Sequence, residues 1–144
     1  MARLLEDDDG IGRYVISMAL PAALQSAGGV VVVNTREWIV VTSDGRGTGW
    51  QAAVAGYSYD MVREDGAELL LYHWHPASVS HMTEPHLHLG SRLSSVLGAQ
   101  RSVHLPTGHV GLHEFIAMLI RELGVRPLRR DWERVISTPG ERPA

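Results

Sequence analysis

WQAAVAGYSYDMVREDGAELLLYHWH, residues 50–75, holds two apolar stretches separated by the polar sequence Arg-Glu-Asp-Gly. Asp and Gly favour a tight turn, and the flanking stretches are rich in Val, Tyr, Trp and Leu, which favour strands. The stretch therefore predicts an antiparallel hairpin, with strands at 50–62 and 67–75 joined by a turn at 63–66.

The residues before this hairpin predict further strands. Residues 37–42 are largely β-branched and end at Ser-Asp-Gly, 43–45, a second turn signal. Residues 14–33 carry no charge, which is formally the length of a membrane span, but Pro21 and the adjacent glycines at 28–29 interrupt them. We expect no membrane association there. Instead, these interruptions divide the stretch into three predicted short elements: a strand at 13–19, a short helical turn at 21–27 and a buried strand at 30–33.

After the hairpin, the period of the apolar residues changes to that of a helix. Six of them follow the spacing of one helical face: Leu112, Phe115, Ile116, Leu119, Ile120 and Leu123. Gly124 supplies a left-handed stop, and Pro127 prevents continuation. A second short helix is expected to hold Trp132, Val135 and Ile136 against the core.

Length and composition favour a single domain. A chain of 144 residues with 44% hydrophobic and 20% charged side chains can bury a core. We expect an acidic N-terminal segment at 1–10, a single α+β domain at 11–137 and a flexible C-terminal tail at 138–144. In that domain an antiparallel β-sheet, a meander of hairpins, is packed by one long and one short C-terminal helix.

Composition also limits the function. The chain has no cysteine, so a metal site must use nitrogen and oxygen ligands. The net charge is −3, so any contact with nucleic acid would depend on a local patch such as that formed by Arg126, Arg129, Arg130 and Arg134.

The acidic start lacks the basic and apolar pattern of a secretory signal, which predicts a cytoplasmic protein. No nucleophile-elbow, Walker, Rossmann or HExxH pattern is present.

Histidines are the main functional signal. Five of the eight lie within residues 73–88, and four of these form two His-x-His pairs, His73 with His75 and His86 with His88. Alternate side chains of a strand share a face, so each pair should point to one side of a sheet. If residues 76–85 form a hairpin loop, the two pairs lie on adjacent strands and the four imidazoles converge.

A convergent set of this kind predicts a metal site. The candidate ligands are His73, His75, His86 and His88, with zinc, iron, nickel or manganese as the divalent ion. Histidines at i and i+2 on a strand can bind one ion at about 2.0–2.1 Å and leave a position open for an activated water. The pattern is similar to the first motif of the cupins, in which a glutamate follows three or four positions after the histidines. That glutamate is missing here: Ser78 and Val79 occupy these positions after His75, and Ser91 and Arg92 occupy them after His88.

Residues 57–125 carry a second resemblance. Their order, YSYDMVREDGAELLLYHWHP, then PHLHLG, then HLPTGHVGLHEFIAMLIRELGV, resembles the TumE-like small proteins of bacterial toxin–antitoxin operons. The resemblance covers about half of the chain. It implies an intracellular toxin with a protein antitoxin as its partner and a nuclease activity on RNA.

A metal-free nuclease needs a base, an acid and a cation for the phosphorane charge, and histidine suits the first two roles because it titrates near neutral pH. His86 and His88 are the acid–base candidates, with His73 or Tyr57 assisting and Arg92 or Arg101 as the cation. We expect His81 and His104 in loops, and His109 and His113 on the surface.

Three functions remain open from the sequence. The first is a histidine-based enzyme of the toxin nuclease type, and the second is a histidine-ligated metal-binding domain. The third is a non-catalytic protein that binds a partner, in which the imidazoles only satisfy hydrogen bonds at packed strand ends. The sequence does not predict an oligomeric state.

Overall fold

The described part of the chain forms one eight-stranded antiparallel sheet followed by two short helices. The computed structural model describes residues 1–8, 11–43, 49–77, 82–90, 94–95 and 104–137. The strands are β1 (Ala2–Asp8), β2 (Ile11–Ser17), β3 (Ala22–Ser26), β4 (Gly29–Ser43), β5 (Trp50–Arg63), β6 (Glu68–Trp74), β7 (His86–Leu89) and β8 (His104–Pro106). The helices are α1 (Leu112–Arg121) and α2 (Trp132–Ser137).

The strand order is β1-β2-β4-β5-β6-β7-β8, and β3 pairs with the first part of β4 while β2 pairs with its second part. The predicted hairpin at residues 50–75 is confirmed as β5 and β6. Its turn closes where the Gly66 amide donates to the Arg63 carbonyl at 2.9 Å, and Gly66 adopts a positive φ of 81° that favours glycine. The predicted turn at 43–45 lies, apart from Ser43, outside the described residues.

The helical turn predicted at 21–27 is wrong, because this segment forms β3 and pairs with residues 29–33. Ser26 donates to the Gly29 carbonyl at 2.7 Å, and Gly29 has a φ of 112°, so the intervening residues make a tight turn. Leu24 then packs against the core. The two strands expected at 30–33 and 37–42 are one strand, the 15-residue β4.

The first helix covers one face of the sheet as the apolar stripe predicted. Phe115 and Leu119 are buried, and Leu112, Ile120 and Leu123 pack around them, whereas Ile116, the sixth residue of the predicted stripe, is half-buried and does not belong to this cluster. The helix ends at Arg121, just before Gly124, as expected: Gly124 has a φ of 64°, and the Val125 amide donates to the Leu119 carbonyl at 3.0 Å.

The expected packing of the sheet by one long and one short helix is wrong. Within the part of the chain that the structure describes, antiparallel sheet predominates and the two helices are short, with ten and six residues. The second helix buries none of its residues, and Val135 is 45% exposed. It contacts α1, where the Arg121 guanidinium lies 5.3 Å from the Trp132 ring and 3.5 Å from the Glu133 carboxylate. Six residues give α2 too little apolar surface to reach the sheet.

Two faces of the sheet are distinct. The helix face packs against α1 and supplies the core residues Val31, Val33, Tyr57, Tyr59 and Met61, which are joined by Phe115, Leu119 and Val125. The opposite side, here called the histidine face, carries the alternate residues of the same strands. Among the described residues, neither helix has the length and apolar character needed to cross a membrane.

Only part of the expected division into an N-terminal segment, a domain and a C-terminal tail falls on residues that the structure describes. Residues 2–8, which we placed in an acidic segment before the domain, form β1 and pair with β2. The tail predicted at 138–144 lies outside the described residues.

Candidate metal centre

The strand register assembles the histidine face. Asp60 pairs with Leu71, Leu71 with His88, and His88 with His104. The neighbouring row pairs Ser58 with His73 and His73 with His86. Because paired residues point to the same side of a sheet, the imidazoles of three adjacent strands lie side by side.

The expected convergence of the two His-x-His pairs is confirmed. The ring centre of His73 lies 5.5 Å from that of His75, 6.0 Å from that of His86 and 5.1 Å from that of His88. The rings of His86 and His88 are 4.9 Å apart. All four rings therefore lie in one patch on one face.

Three of these histidines can hold a metal ion. One ring nitrogen each of His73, His86 and His88 lies within 4.8 Å of the others, and the Nε2 atoms of His86 and His88 are 3.1 Å apart. Two nitrogens bound to one tetrahedral zinc ion at about 2.0–2.1 Å are themselves about 3.3–3.4 Å apart. The closest pair is thus already near the spacing that a shared ion would impose.

The His86 ring is oriented by the backbone. Its Nδ1 donates to the Glu84 carbonyl at 2.7 Å, since a carbonyl oxygen can only accept. The proton on Nδ1 leaves the lone pair of Nε2 directed toward His88. Ligating histidines usually have such a hydrogen bond on their second nitrogen. His86 is also buried, with 5% of its surface exposed.

The His73 ring is oriented by a carboxylate. Its Nε2 lies 3.3 Å from Asp60 Oδ1, and the Ser58 hydroxyl donates to the same oxygen at 2.7 Å. Burial opposes ionisation of Asp60, but the hydrogen bonds from His73 and Ser58 outweigh it, so the Asp60 pKa lies below its ordinary value. Asp60 is therefore a charged group that orients the His73 ring through its Nε2, and it leaves Nδ1 as the nitrogen that could bind an ion.

Burial opposes protonation of His75, His86 and His88. Desolvation, helped by the neighbouring imidazoles of His73, His104 and His86, lowers the pKa of His88 to about 4. Desolvation is also the main cause of the lowered pKa values of His75 and His86. Neutral imidazole is the form that binds a metal ion, so these shifts favour ligation.

Other predicted site residues lie elsewhere. His75 belongs to the patch but not to the close triad, and its ring meets the edge of Trp38 at 4.7 Å. Tyr57 is on the helix face, where it is buried and its hydroxyl accepts from the Val110 amide at 3.1 Å. The predicted cations Arg92 and Arg101, and also His81, lie outside the described residues.

Sequence reasoning missed two members of the histidine face. His104, expected in a loop, is the first residue of β8, and its ring lies 4.4 Å from His88 and 4.8 Å from His86. Arg36 is exposed on β4, with its guanidinium 5.9 Å from the Trp38 ring centre. His109 and His113 are exposed, as predicted.

Comparisons of this chain with protein-family models, with curated proteins and with solved structures find no match. The resemblance to TumE-like proteins stays a prediction from residues 57–125. Functional proposals for this protein therefore depend on the chemistry of the histidine face.

Proposed function

We propose that the protein is a metalloenzyme that binds one divalent transition metal ion through His73, His86 and His88. The observation that carries the proposal is the approach of three imidazole nitrogens to within 4.8 Å of one another. Three protein ligands leave a fourth tetrahedral position free, which is the pattern of catalytic zinc sites, whereas structural sites use four.

Zinc is the first candidate for the ion. Imidazole nitrogens suit zinc, copper, iron and nickel, while magnesium and calcium prefer oxygen ligands. A zinc ion held by three histidines supplies Lewis acidity and lowers the pKa of a coordinated water to about 7, which is the chemistry of hydrolysis.

The surrounding residues support the ligand set. Asp60 holds the His73 ring, and the Glu84 carbonyl holds the His86 ring in the tautomer with a free Nε2. Fixed rings lose less conformational entropy when an ion binds, so these two contacts favour affinity as well as geometry.

A metal-free nuclease, implied by the resemblance to toxins, is the second candidate. The closeness of His86 and His88, whose Nε2 atoms are 3.1 Å apart, favours it, because one substrate could then contact both an acid and a base. The general acid would also have to be protonated near neutral pH. The lowered pKa values of His86 and His88 oppose that role and make metal ligation the better proposal.

Metal content tests the first proposal. Protein purified without a histidine tag and equilibrated with excess zinc is dialysed, and its zinc is measured by inductively coupled plasma mass spectrometry. We expect about one ion per chain in the wild type and in the control His113→Ala, and none in His86→Ala/His88→Ala. Circular dichroism verifies that the double variant is folded. A folded wild type that retains no zinc would contradict the proposal.

An RNA-cleavage assay separates the two candidates. Cleavage that survives removal of metal by a chelator, and is lost in a folded His86→Ala/His88→Ala variant, would favour the metal-free nuclease. Cleavage that stops on chelation and returns with zinc would favour the metalloenzyme.

A further inference from the structure

A cation and an aromatic ring lie beside the candidate metal centre on the same face. Arg36 pairs with Ser58, and Ser58 pairs with His73, so all three belong to one row across β4, β5 and β6. Trp38 is two residues further along β4 and therefore points the same way. This row connects the arginine directly to a candidate ligand.

Gly56 makes room for the aromatic ring. It is the β5 partner of Trp38, and a Cβ atom there would lie 2.8 Å from the Trp74 carbonyl and 3.5 Å from the Trp38 ring. Without that atom, the Trp38 and His75 rings meet above the strand at 4.7 Å. They form a wall at one side of the candidate centre.

The Arg36 guanidinium is available to a ligand. It is exposed, and it forms no ion pair with the described residues. The guanidinium lies 5.9 Å from the centre of the Trp38 ring, and the Trp38 ring lies 4.7 Å from the His75 ring, so the cation is beside the patch of imidazoles.

The charges around the centre add up to a positive site on a negative chain. An imidazole that binds an ion is neutral, and Asp60 supplies one negative charge, to which Ser58 and His73 already hydrogen-bond. A divalent ion together with Arg36 would outweigh that charge, although the whole chain carries −3. Such a local field attracts anions.

Building on the proposed function, we propose that the centre takes a small oxyanionic substrate, whose phosphate or carboxylate group is held by Arg36. Guanidinium groups bind such oxyanions through two parallel hydrogen bonds. Two strand spacings, about 10 Å, separate the backbones of Arg36 and His73, and three, about 14 Å, separate those of Arg36 and His86, so the long arginine side chain and a bound small molecule would together span the distance to the ion. The substrate would lie between Arg36 and the metal, beside the wall formed by Trp38 and His75.

Phosphate binding by the zinc-loaded protein tests this inference. Inorganic phosphate and acetate are titrated into wild type, Arg36→Gln and the control Arg13→Gln by isothermal calorimetry, with zinc content measured in each sample. Arg13 lies on the same face, on β2, opposite Val40. We expect Arg36→Gln to weaken oxyanion binding at least about tenfold at unchanged zinc content, because two charge-assisted hydrogen bonds are lost, and Arg13→Gln to have no such effect. Tighter binding of phosphate or of acetate would identify which oxyanion is preferred.

The outcomes separate the two proposals. Normal zinc content with equal oxyanion affinity in wild type and Arg36→Gln would overturn the assignment of Arg36. Equal affinity in the zinc-loaded and metal-free wild type would also overturn it, since the anion would then bind without the centre. Absence of zinc from the wild type would instead contradict the proposed metal function.

Discussion

The two faces of the β5–β6 hairpin differ although their residues alternate along the same strands. On the helix face, Tyr57 and Tyr59 stack at 4.7 Å, and Phe115 from α1 stacks on Tyr59 at 5.1 Å. On the histidine face, Ser58 and Asp60 take the intervening positions and support an imidazole. The first face is a close-packed aromatic core, whereas the second is a set of half-buried groups with nitrogen lone pairs.

This difference shows how one face of a strand can contribute to folding stability while the other face carries groups that can bind a ligand. Burial of large rings on the helix face contributes to the free energy of folding, since these side chains remove much apolar area from water. Several imidazoles on the other face are partly removed from water, which disfavours their protonated form and favours the binding of a metal ion. Mutations on the two faces should therefore affect different measurements.

The largest expected effect is on the helix face. Replacing Phe115 by Ala should lower the free energy of unfolding by about 3–5 kcal/mol, because the ring is 1% exposed and its removal leaves a cavity. Urea denaturation measures the change, and His113→Ala, on the exposed side of α1, should stay within about 0.5 kcal/mol of wild type. A loss below about 1 kcal/mol for Phe115→Ala would mean that α1 does not stabilise the sheet.

The second effect belongs to the histidine face. At a free zinc concentration about 100 times the dissociation constant, zinc should raise the free energy of unfolding by about 2.7 kcal/mol, because the ion binds only the folded chain. Unfolding with and without zinc should show this increase in wild type and in Phe115→Ala, but not in His86→Ala/His88→Ala. An equal increase in the double variant would place the zinc elsewhere.

The spacing of neighbouring apolar residues correctly predicted several strands and the first helix. The alternation in residues 50–75 and the stripe from Leu112 to Leu123 indicated β5, β6 and α1. The shared face of His73 with His75, and of His86 with His88, followed from the strand period, and only the pairing of β6 with β7 had to be assumed. The convergence of the imidazoles was therefore predictable.

Errors arose where long-range pairing decides the outcome. His104 belongs to a strand of only three residues, which is too short to show alternation, and its place depends on pairing with His88. Arg36 gave no local signal, because its nearness to His73 depends on the register of two strand pairs. Apolar residues in α2 indicated a buried side, but the helix packs on α1 and buries none of them.

A third prediction concerns the polar edge of the core. Tyr59 is fully buried, and its hydroxyl donates to Glu37 at 2.6 Å. Tyr59→Phe should lower the free energy of unfolding by about 1–2 kcal/mol, because a partly buried carboxylate loses its donor. Tyr72→Phe is the matched control, since the Tyr72 hydroxyl has no hydrogen bond to the described residues.

Urea denaturation of both tyrosine variants, with zinc content measured in parallel, checks this prediction. Zinc binding should be unchanged in Tyr59→Phe because the hydroxyl lies on the helix face. Equal losses of stability in the two variants would show that the contact with Glu37 contributes nothing specific. Loss of zinc from Tyr59→Phe would show that the two faces are coupled.

The smallest effect is the pH dependence of the metal-free protein, which follows from the lowered pKa values of His75, His86 and His88. The unfolded chain protonates these imidazoles near the ordinary value of 6.5, while the folded chain resists protonation. Below that pH the unfolded state therefore binds more protons, and stability falls. The loss should begin as the pH drops through about 6.5 and continue to about 4, where the folded His88 titrates.

Urea denaturation in the presence of a chelator at about pH 7.5 and about pH 5 measures this loss. His88→Gln should reduce it, and His113→Gln controls for the removal of a histidine outside the patch. Asp60 does not interfere, because its lowered pKa gives a loss of stability only below its ordinary value of 3.8. A free energy of unfolding that increases as the pH is lowered from about 6.5 to about 5 would mean that the folded protein favours charged imidazoles. The histidine face would then be a set of ion pairs rather than a desolvated ligand set.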